Sequence, residues 1–133
     1  MPAISVERTI GKTKRAVLGG LIGYNNAKMG KQKYRRFAVS LRDKGAIVGG
    51  IVGEVWMTVL FIQFFWIEDR FRGKDHGTRL IEDEARRFGA VRSYVDTMSF
   101  QAPDFYRSCG YEAFGAIDGY PGGVTRHWFT KTL

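Results

Sequence analysis

The chain has 133 residues, and its 21 Lys and Arg against 13 Asp and Glu give a formal net charge of +8 at pH 7. This length can bury a real hydrophobic core, so we expect a single domain over residues 1–133. One cysteine, Cys109, excludes an internal disulfide, and no spacing of His and Cys indicates a metal site. With no signal peptide in "MPAISVERTI", we expect a metal-free cytoplasmic protein.

The positive charge is unevenly distributed along the chain. Residues 1–67 hold 11 Lys and Arg and 3 acids, whereas residues 68–133 hold 10 of each. The densest segment, "KMGKQKYRR" at 28–36, fits a solvated loop or a surface for an anionic partner, and its role stays open. No recognised nucleic-acid-binding module is present, so nucleic acid is not the expected partner.

The first half of the chain predicts a helix between strands. Alternation in "ISVER", residues 4–8, indicates a short first strand, and apolar residues from Thr13 to Ile22 recur at helical spacing. The glycine pair at 19 and 20 is expected to bend or break that helix. "RRFAVSLRD" and "AIVGGIVGEV" then predict a second and a third strand joined by a "KG" hairpin.

The apolar run over residues 46–67 is long enough to span a bilayer. Glu54 and Gln63 interrupt the run, and its Val, Ile and Phe favour strands, so we interpret it as two buried strands and expect no membrane. The fourth strand is "LFIQFFWIE", residues 60–68.

The second half alternates helices and strands. A helix is predicted to begin at Gly77 and to end at Gly89. Its apolar face is formed by Leu80, Ile81, Ala85 and Phe88. "RSYVDTM" predicts a fifth strand, and "PDFYRSC" a short helix with proline in its first turn. "YEAFG" and "TRHWFTKTL" complete the sheet.

The loop "RGKDHGTRL", from Arg72 to Leu80, lies between the fourth strand and this helix. Such a loop presents free backbone N–H groups and the positive end of a helix dipole, so it predicts a phosphate site. Two better-known phosphate motifs are excluded, because no lysine follows Gly77 and the glycine spacing differs from GxGxxG.

Two motifs at this spacing resemble the GNAT superfamily of acetyl-CoA-dependent N-acetyltransferases. The loop matches [RQ]xxGx[GA] from Arg72 to Gly77, and the following helix and strand match through Ala102, Tyr106, Gly110 and Tyr111. The resemblance covers the whole chain and implies an α+β GNAT fold in one N-acetyltransferase domain. In that fold a mixed, mostly antiparallel twisted sheet is flanked by helices, and its fourth and fifth strands splay apart.

The resemblance also implies the roles of individual residues. The loop would hold the coenzyme A pyrophosphate, the end of the fourth strand would pair with the pantetheine arm, and Tyr106 would protonate the departing thiolate as general acid. The expected coenzyme contacts are Trp66, Ile67, Arg72, Gly73, Lys74, His76, Gly77, Thr78, Ser99 and Ala102.

Two positions depart from the family pattern. Asp75 stands where glycine is usual, and we expect its side chain to cap the helix rather than to contact phosphate. Gln63 occupies the position of a common general base and cannot accept a proton at neutral pH. The base therefore stays open among Glu54, Glu68, Asp96 and a water held by Gln63.

These expectations define the predicted function. The protein would transfer an acetyl group from acetyl-CoA, its co-substrate, to a primary amine by direct attack in a ternary complex. A small-molecule amine is favoured over a protein or RNA-linked amine, and a homodimer is a possible assembly. The alternative is a non-catalytic acyl-CoA-binding or basic nucleic-acid-binding module with a degenerate site.

Overall fold

The computed structural model describes residues 1–133, except for the side chains of residues 84–86. The predicted contribution of Ala85 to an apolar helix face therefore lies outside the described residues. The chain forms two compact units, residues 1–32 and residues 33–133.

The first unit consists of one helix, α1, over Gly11–Met29, preceded by ten residues without regular structure. The first strand predicted at residues 4–8 is wrong: alternation over five residues needs a neighbouring strand for its backbone hydrogen bonds, and the sheet begins only at Tyr34. Of the bend or break expected at the glycine pair, the break is excluded, because α1 runs through both glycines.

The second unit is a six-stranded mixed sheet with two helices. Its strand order is β1-β2-β3-β4-β6-β5, and all neighbours are antiparallel except the parallel pair β3 and β4. The predicted α+β fold with a mostly antiparallel sheet is confirmed. The elements are β1 (Tyr34–Asp43), β2 (Ala46–Trp56), β3 (Val59–Ile67), α2 (His76–Phe88), β4 (Arg92–Met98), α3 (Pro103–Ser108), β5 (Glu112–Ile117) and β6 (Arg126–Thr132).

The central strands β2, β3 and β4 give one face of the sheet to the core, whereas β5 is exposed throughout. In β4, Ser93, Val95 and Thr97 are buried, whereas the alternate residues are half-buried or, at Arg92, exposed. Ile81 of α2 and Tyr106 of α3 pack on the buried face with Leu60, Ile62 and Phe129. Because successive side chains of a strand point to opposite faces, we call the other side of the sheet the open face.

The apolar run over 46–67 forms β2 and β3, as the strand interpretation predicted. Among the residues described, no helix is long and apolar enough to cross a membrane.

Candidate active site

A cleft of about 1770 Å³ opens where β3 and β4 part. The two strands pair only from Val59 with Arg92 to Ile62 with Val95, although both continue beyond these residues. The predicted splaying is therefore present, and it leaves one backbone edge of β3 unpaired from Gln63 onwards. Three sides of the cleft come from the strand ends, the loop before α2, and α3.

A β-bulge shapes β3 at the point of parting. Val52 pairs with Phe64 and Gly53 with Ile62, so Gln63 has no partner of its own on β2. As a result Gln63 and Phe64 are both exposed although they are consecutive. Bulges of this kind turn side chains toward a site beside the sheet.

The hydrogen-bond pattern shows which backbone groups face the gap. Glu68 N–H donates to Val48 O at 2.8 Å, so these two residues form a hydrogen-bonded pair. Trp66, two residues before Glu68, is paired with Gly50 in the same register. Since bonding alternates along an antiparallel strand, Trp66 directs its N–H and C=O at β2, whereas Phe65 and Ile67 face the gap. Of the two residues expected to pair with the pantetheine arm, only Ile67 presents its backbone there.

The loop before α2 is fastened to the end of β3 through Arg72. Its Nε donates to Ile67 O at 2.7 Å, and its Nη1 lies 2.6 Å from Asp69 Oδ1. Gly73 has a φ of +74°, and the Lys74 ammonium lies 5.9 Å from the centre of the Phe71 ring. Arg72 therefore supports the loop through its hydrogen bond and ion pair, and Lys74 adds a second exposed cation.

Asp75 adopts a φ of +62°, in the left-handed region that favours glycine. Its C=O accepts the first helical hydrogen bond, from Arg79 N–H at 3.1 Å, but its carboxylate accepts none from the residues described. A capping side chain folds over the helix from an extended backbone, which this φ does not provide. The expected side-chain cap is thus absent, and the backbone conformation gives a physical reason for glycine at this position.

Gly77, in the first turn of α2, lies against two stacked aromatic rings. A Cβ at this position would come within 2.8 Å of Phe105 Cζ and 2.9 Å of Phe65 Cζ, whose rings stack at 5.3 Å. Sequence reasoning assigned this glycine to ligand approach alone, whereas it also permits close packing. The neighbouring Thr78 hydroxyl contacts Cys109 Sγ at 3.4 Å, while His76 lines the cleft half-buried.

Ser99 and Ala102 line the cleft beyond β4, but their backbone groups have partners. Ser99 exchanges hydrogen bonds with Thr125: its N–H donates to Thr125 O at 2.8 Å, and its Oγ accepts from Thr125 N at 3.1 Å. Ala102 N–H donates to Thr97 Oγ1 at 3.2 Å. Both residues therefore shape the wall of the cleft.

Tyr106 lines the cleft with only 4% of its surface exposed. Its ring packs among those of Phe65, Phe105, Tyr111 and Phe129, and its hydroxyl has no hydrogen-bond partner among the residues described. Burial raises the pKa of Tyr106 above its ordinary value. At neutral pH the group is therefore a protonated phenol with an unused donor.

The structure separates the four candidate bases. Glu54 accepts a hydrogen bond from Tyr34 Oη at 2.6 Å, and Glu68 pairs with Arg70 Nε at 2.8 Å; neither lines the cleft. Gln63 and Asp96 both do. Within the cleft, the titratable carboxylate among these candidates is therefore Asp96.

Asp96 is held by Arg126, a residue that sequence reasoning missed. Arg126 Nε and Nη2 lie 2.9 and 2.7 Å from the same oxygen, Asp96 Oδ1, while the guanidinium lies 4.9 Å from the Trp128 ring centre. Asp96 and Arg126 are separated by 30 residues in sequence and meet because β4 pairs with β6. No local pattern could have indicated this contact.

Comparison with known proteins identifies the relatives of this chain. The family model of the acetyltransferase (GNAT) domain matches residues 19–113. The blasticidin-S acetyltransferase of Streptomyces morookaense is 40% identical over 95 residues, which cover 68% of this chain and 70% of that protein.

Solved structures show the same architecture. The crystal structure of an acetyltransferase from Agrobacterium tumefaciens superposes with a TM-score of 0.87 and 25% identity, over the whole of both chains. A streptothricin acetyltransferase from Bacillus anthracis, solved in complex with acetyl coenzyme A, has a TM-score of 0.63 and 18% identity. That superposition covers 74% of this chain and 62% of the other.

Proposed function

Because this chain belongs to the GNAT acetyltransferase family, we propose that it acetylates the primary amine of a small molecule with acetyl-CoA as donor. The main support is that a glycine-containing loop at a helix N-terminus, the buried phenol of Tyr106 and the carboxylate of Asp96 all line one cleft. These are the three kinds of group that the reaction needs: an anion site, an acid and a base.

The coenzyme lies on the side of α2. Because Asp75 C=O accepts from Arg79 N–H, the N–H groups of residues 76–78 have no intrahelical partner and can bind pyrophosphate oxygens. The helix dipole and Lys74 add positive potential at the same end. The pantetheine arm then runs along the free edge of β3, where Phe65 and Ile67 present their backbone groups.

The acetyl carbonyl accepts a hydrogen bond from Ile67 N–H, which faces the gap. The C=O of the same residue is already bonded to Arg72, so this segment of backbone is held in position. A fixed N–H donor stabilises the oxyanion as the amine attacks, a contribution worth about 3–4 kcal/mol of barrier in other enzymes.

The reaction forms one bond and breaks one bond. The neutral amine nitrogen attacks the thioester carbon, and the nitrogen–carbon bond replaces the carbon–sulfur bond. The proton from nitrogen passes to Asp96, directly or through a water held by Gln63. Tyr106 gives its proton to the departing thiolate, and both residues then recover their starting state by exchange with water.

Tyr106 fits the acid role because of its surroundings. Its hydroxyl has no partner among the described residues, and burial raises its pKa, so the phenol keeps its proton at neutral pH. It can donate a hydrogen bond, and then the proton, to the sulfur as negative charge develops there, because burial also disfavours a free thiolate. Asp96 fits the base role because Arg126 occupies only Oδ1.

The test is an acetyl-transfer assay with blasticidin S as the first acceptor, because a relative of this chain is named for that substrate. We expect coenzyme A thiol release that depends on the acceptor and a product heavier by one acetyl group. A reaction without acceptor measures hydrolysis, and titration calorimetry measures acetyl-CoA binding.

The outcomes separate the candidate functions. Acetyl-CoA binding without turnover of blasticidin S or a panel of other amines favours a non-catalytic binding module. A protein that does not bind acetyl-CoA contradicts both this proposal and that module.

A further inference from the structure

The open-face mouth of the cleft carries three large aromatic side chains that are exposed. Phe64, Trp66 and Phe100 are 65%, 53% and 71% exposed, and all three line the cleft. None of their rings contacts another ring or a cation among the residues described, unlike the stacked Phe61 and Tyr94 farther along the same sheet. Scattered exposed apolar residues are common in folded proteins, but a group of aromatic rings that line one cleft is typical of a binding surface.

The backbone explains why these rings face away from the coenzyme side. The bulge turns Phe64 to the open face, and Trp66 follows it there by alternation, whereas Phe65 between them faces the core. Phe100 lies in the turn after β4. The cleft thus has one side rimmed by rings and another bordered by the loop and α3.

A carboxylate lines the same cleft as these rings. Asp96 is on the open face of β4, and its side chain is 23% exposed. Both contacts from Arg126 go to Oδ1, which leaves Oδ2 without a hydrogen-bond partner among the described residues. An ammonium or amine group can bind to Oδ2 while the rest of the same molecule lies against the rings.

We propose that the acceptor is an amine carried on a flat, unsaturated ring, which stacks on Trp66 and its neighbours while the amine nitrogen binds at Asp96. This inference rests on the proposed function and names its substrate class. Flat rings prefer stacked or edge-on contact with aromatic side chains, and such contacts exceed the effect of burial alone by roughly two- to tenfold in affinity. Trp66 supplies the largest of the three faces.

Two amines of equal charge test the preference. Phenylpropylamine and cyclohexylpropylamine carry a ring on the same three-carbon linker, which keeps the basicity of the nitrogen nearly equal. The saturated ring is the more hydrophobic, so simple burial favours cyclohexylpropylamine, whereas stacking favours phenylpropylamine. We expect kcat/KM to favour the aromatic amine by roughly two- to tenfold.

The matched variants are Trp66→Leu and Trp56→Leu. Trp56 is 48% exposed on the neighbouring strand β2 but does not line the cleft. We expect Trp66→Leu to remove the preference through KM, with little change in kcat, and Trp56→Leu to retain it. Equal kcat/KM for the two amines, or the same effect from both variants, overturns the inference.

Two further measurements keep this inference separable from the proposed function. Calorimetry of both amines in the presence of coenzyme A measures ring preference without turnover. Tighter binding of the aromatic amine without acetyl transfer supports the inference and contradicts the transferase proposal. Acetyl transfer with no preference between the two amines supports the transferase proposal and contradicts the inference. If Trp66→Leu changes the mass in light scattering and no amine preference exists, the rings form an interface between copies and the inference is wrong.

Discussion

The two mouths of the cleft are built differently. On the coenzyme side, Arg72 ties the loop to β3, Gly77 packs on stacked rings, and Tyr106 is enclosed. On the open face, Phe64 and Trp66 project with little support. A site that always binds the same co-substrate can be rigid. Exposed side chains, by contrast, can be substituted without disturbing the packing of the core. Under the proposed function, the enclosed side holds the coenzyme and the acid Tyr106, and the open face receives the acceptor beside Asp96.

The strongest test of the enclosed side is Tyr106→Phe. The ring and its packing remain, and no hydrogen bond among the described residues is lost, so fold and coenzyme binding should persist. Loss of the acid should slow single-turnover acetyl transfer by about 100- to 10,000-fold. A single-turnover rate equal to that of the unchanged protein contradicts the role of Tyr106.

The second test concerns Asp96, the proposed base on the open face. Asp96→Asn keeps the shape and a hydrogen-bond acceptor for Arg126 but removes the base, and we expect kcat to fall about 100-fold at neutral pH. Activity should recover as pH rises, because more of the amine is then neutral. Glu54→Gln, outside the cleft, is the control, and an equal loss in both variants argues against Asp96 as base.

Rigid packing on the coenzyme side can be tested at Gly77. A methyl group there would meet Phe105 at 2.8 Å, so Gly77→Ala should lower the free energy of unfolding by about 1–3 kcal/mol. Gly20→Ala in α1 has open space around it and should instead raise helix stability by up to about 1 kcal/mol. Urea denaturation of both variants measures the contrast, and an unchanged midpoint for Gly77→Ala contradicts the packing argument.

The enclosed side should also respond to alkali through its buried phenols. Burial raises the pKa of Tyr111 from 10.0 to about 12, so the native state holds a proton that the unfolded chain loses first. Stability from this group is complete below pH 10.0 and is lost as pH rises toward about 12. Tyr111→Phe should make this decline shallower by about 1.4 kcal/mol per pH unit, measured by denaturation in that range. Equal slopes contradict the assignment.

The smallest effect is expected at Asp75. Asp75→Gly relieves a left-handed φ of +62° but adds freedom to the unfolded chain, so stability should change by less than about 1 kcal/mol. Acetyl-CoA affinity should hold or rise, because a negative charge leaves the phosphate loop. Gly73→Ala makes the reverse change at a φ of +74° and should be destabilising. A clear fall in affinity for Asp75→Gly shows that the carboxylate contributes to binding.

The sequence by itself determined the elements of the second unit and one half of the candidate site. Period-two alternation, the hairpin glycine at 45 and the helical face after Gly77 are local signals, and the observed strands and helices follow them closely. The glycine loop and Tyr106 could be found because each belongs to a short motif. Local pattern failed at residues 4–8, where alternation found no neighbouring strand.

Only the tertiary structure decided which distant residues meet. The parting of β3 and β4, the bulge at Gln63, the pairing of Asp96 with Arg126 and the contact of Gly77 with Phe105 all depend on register between segments far apart in the chain. The presence of Asp96 in the cleft, and the absence of Glu54 and Glu68 from its lining, follow from that register. Side-chain periodicity records which face of a strand is buried, but it carries no information about the strand that lies beside it.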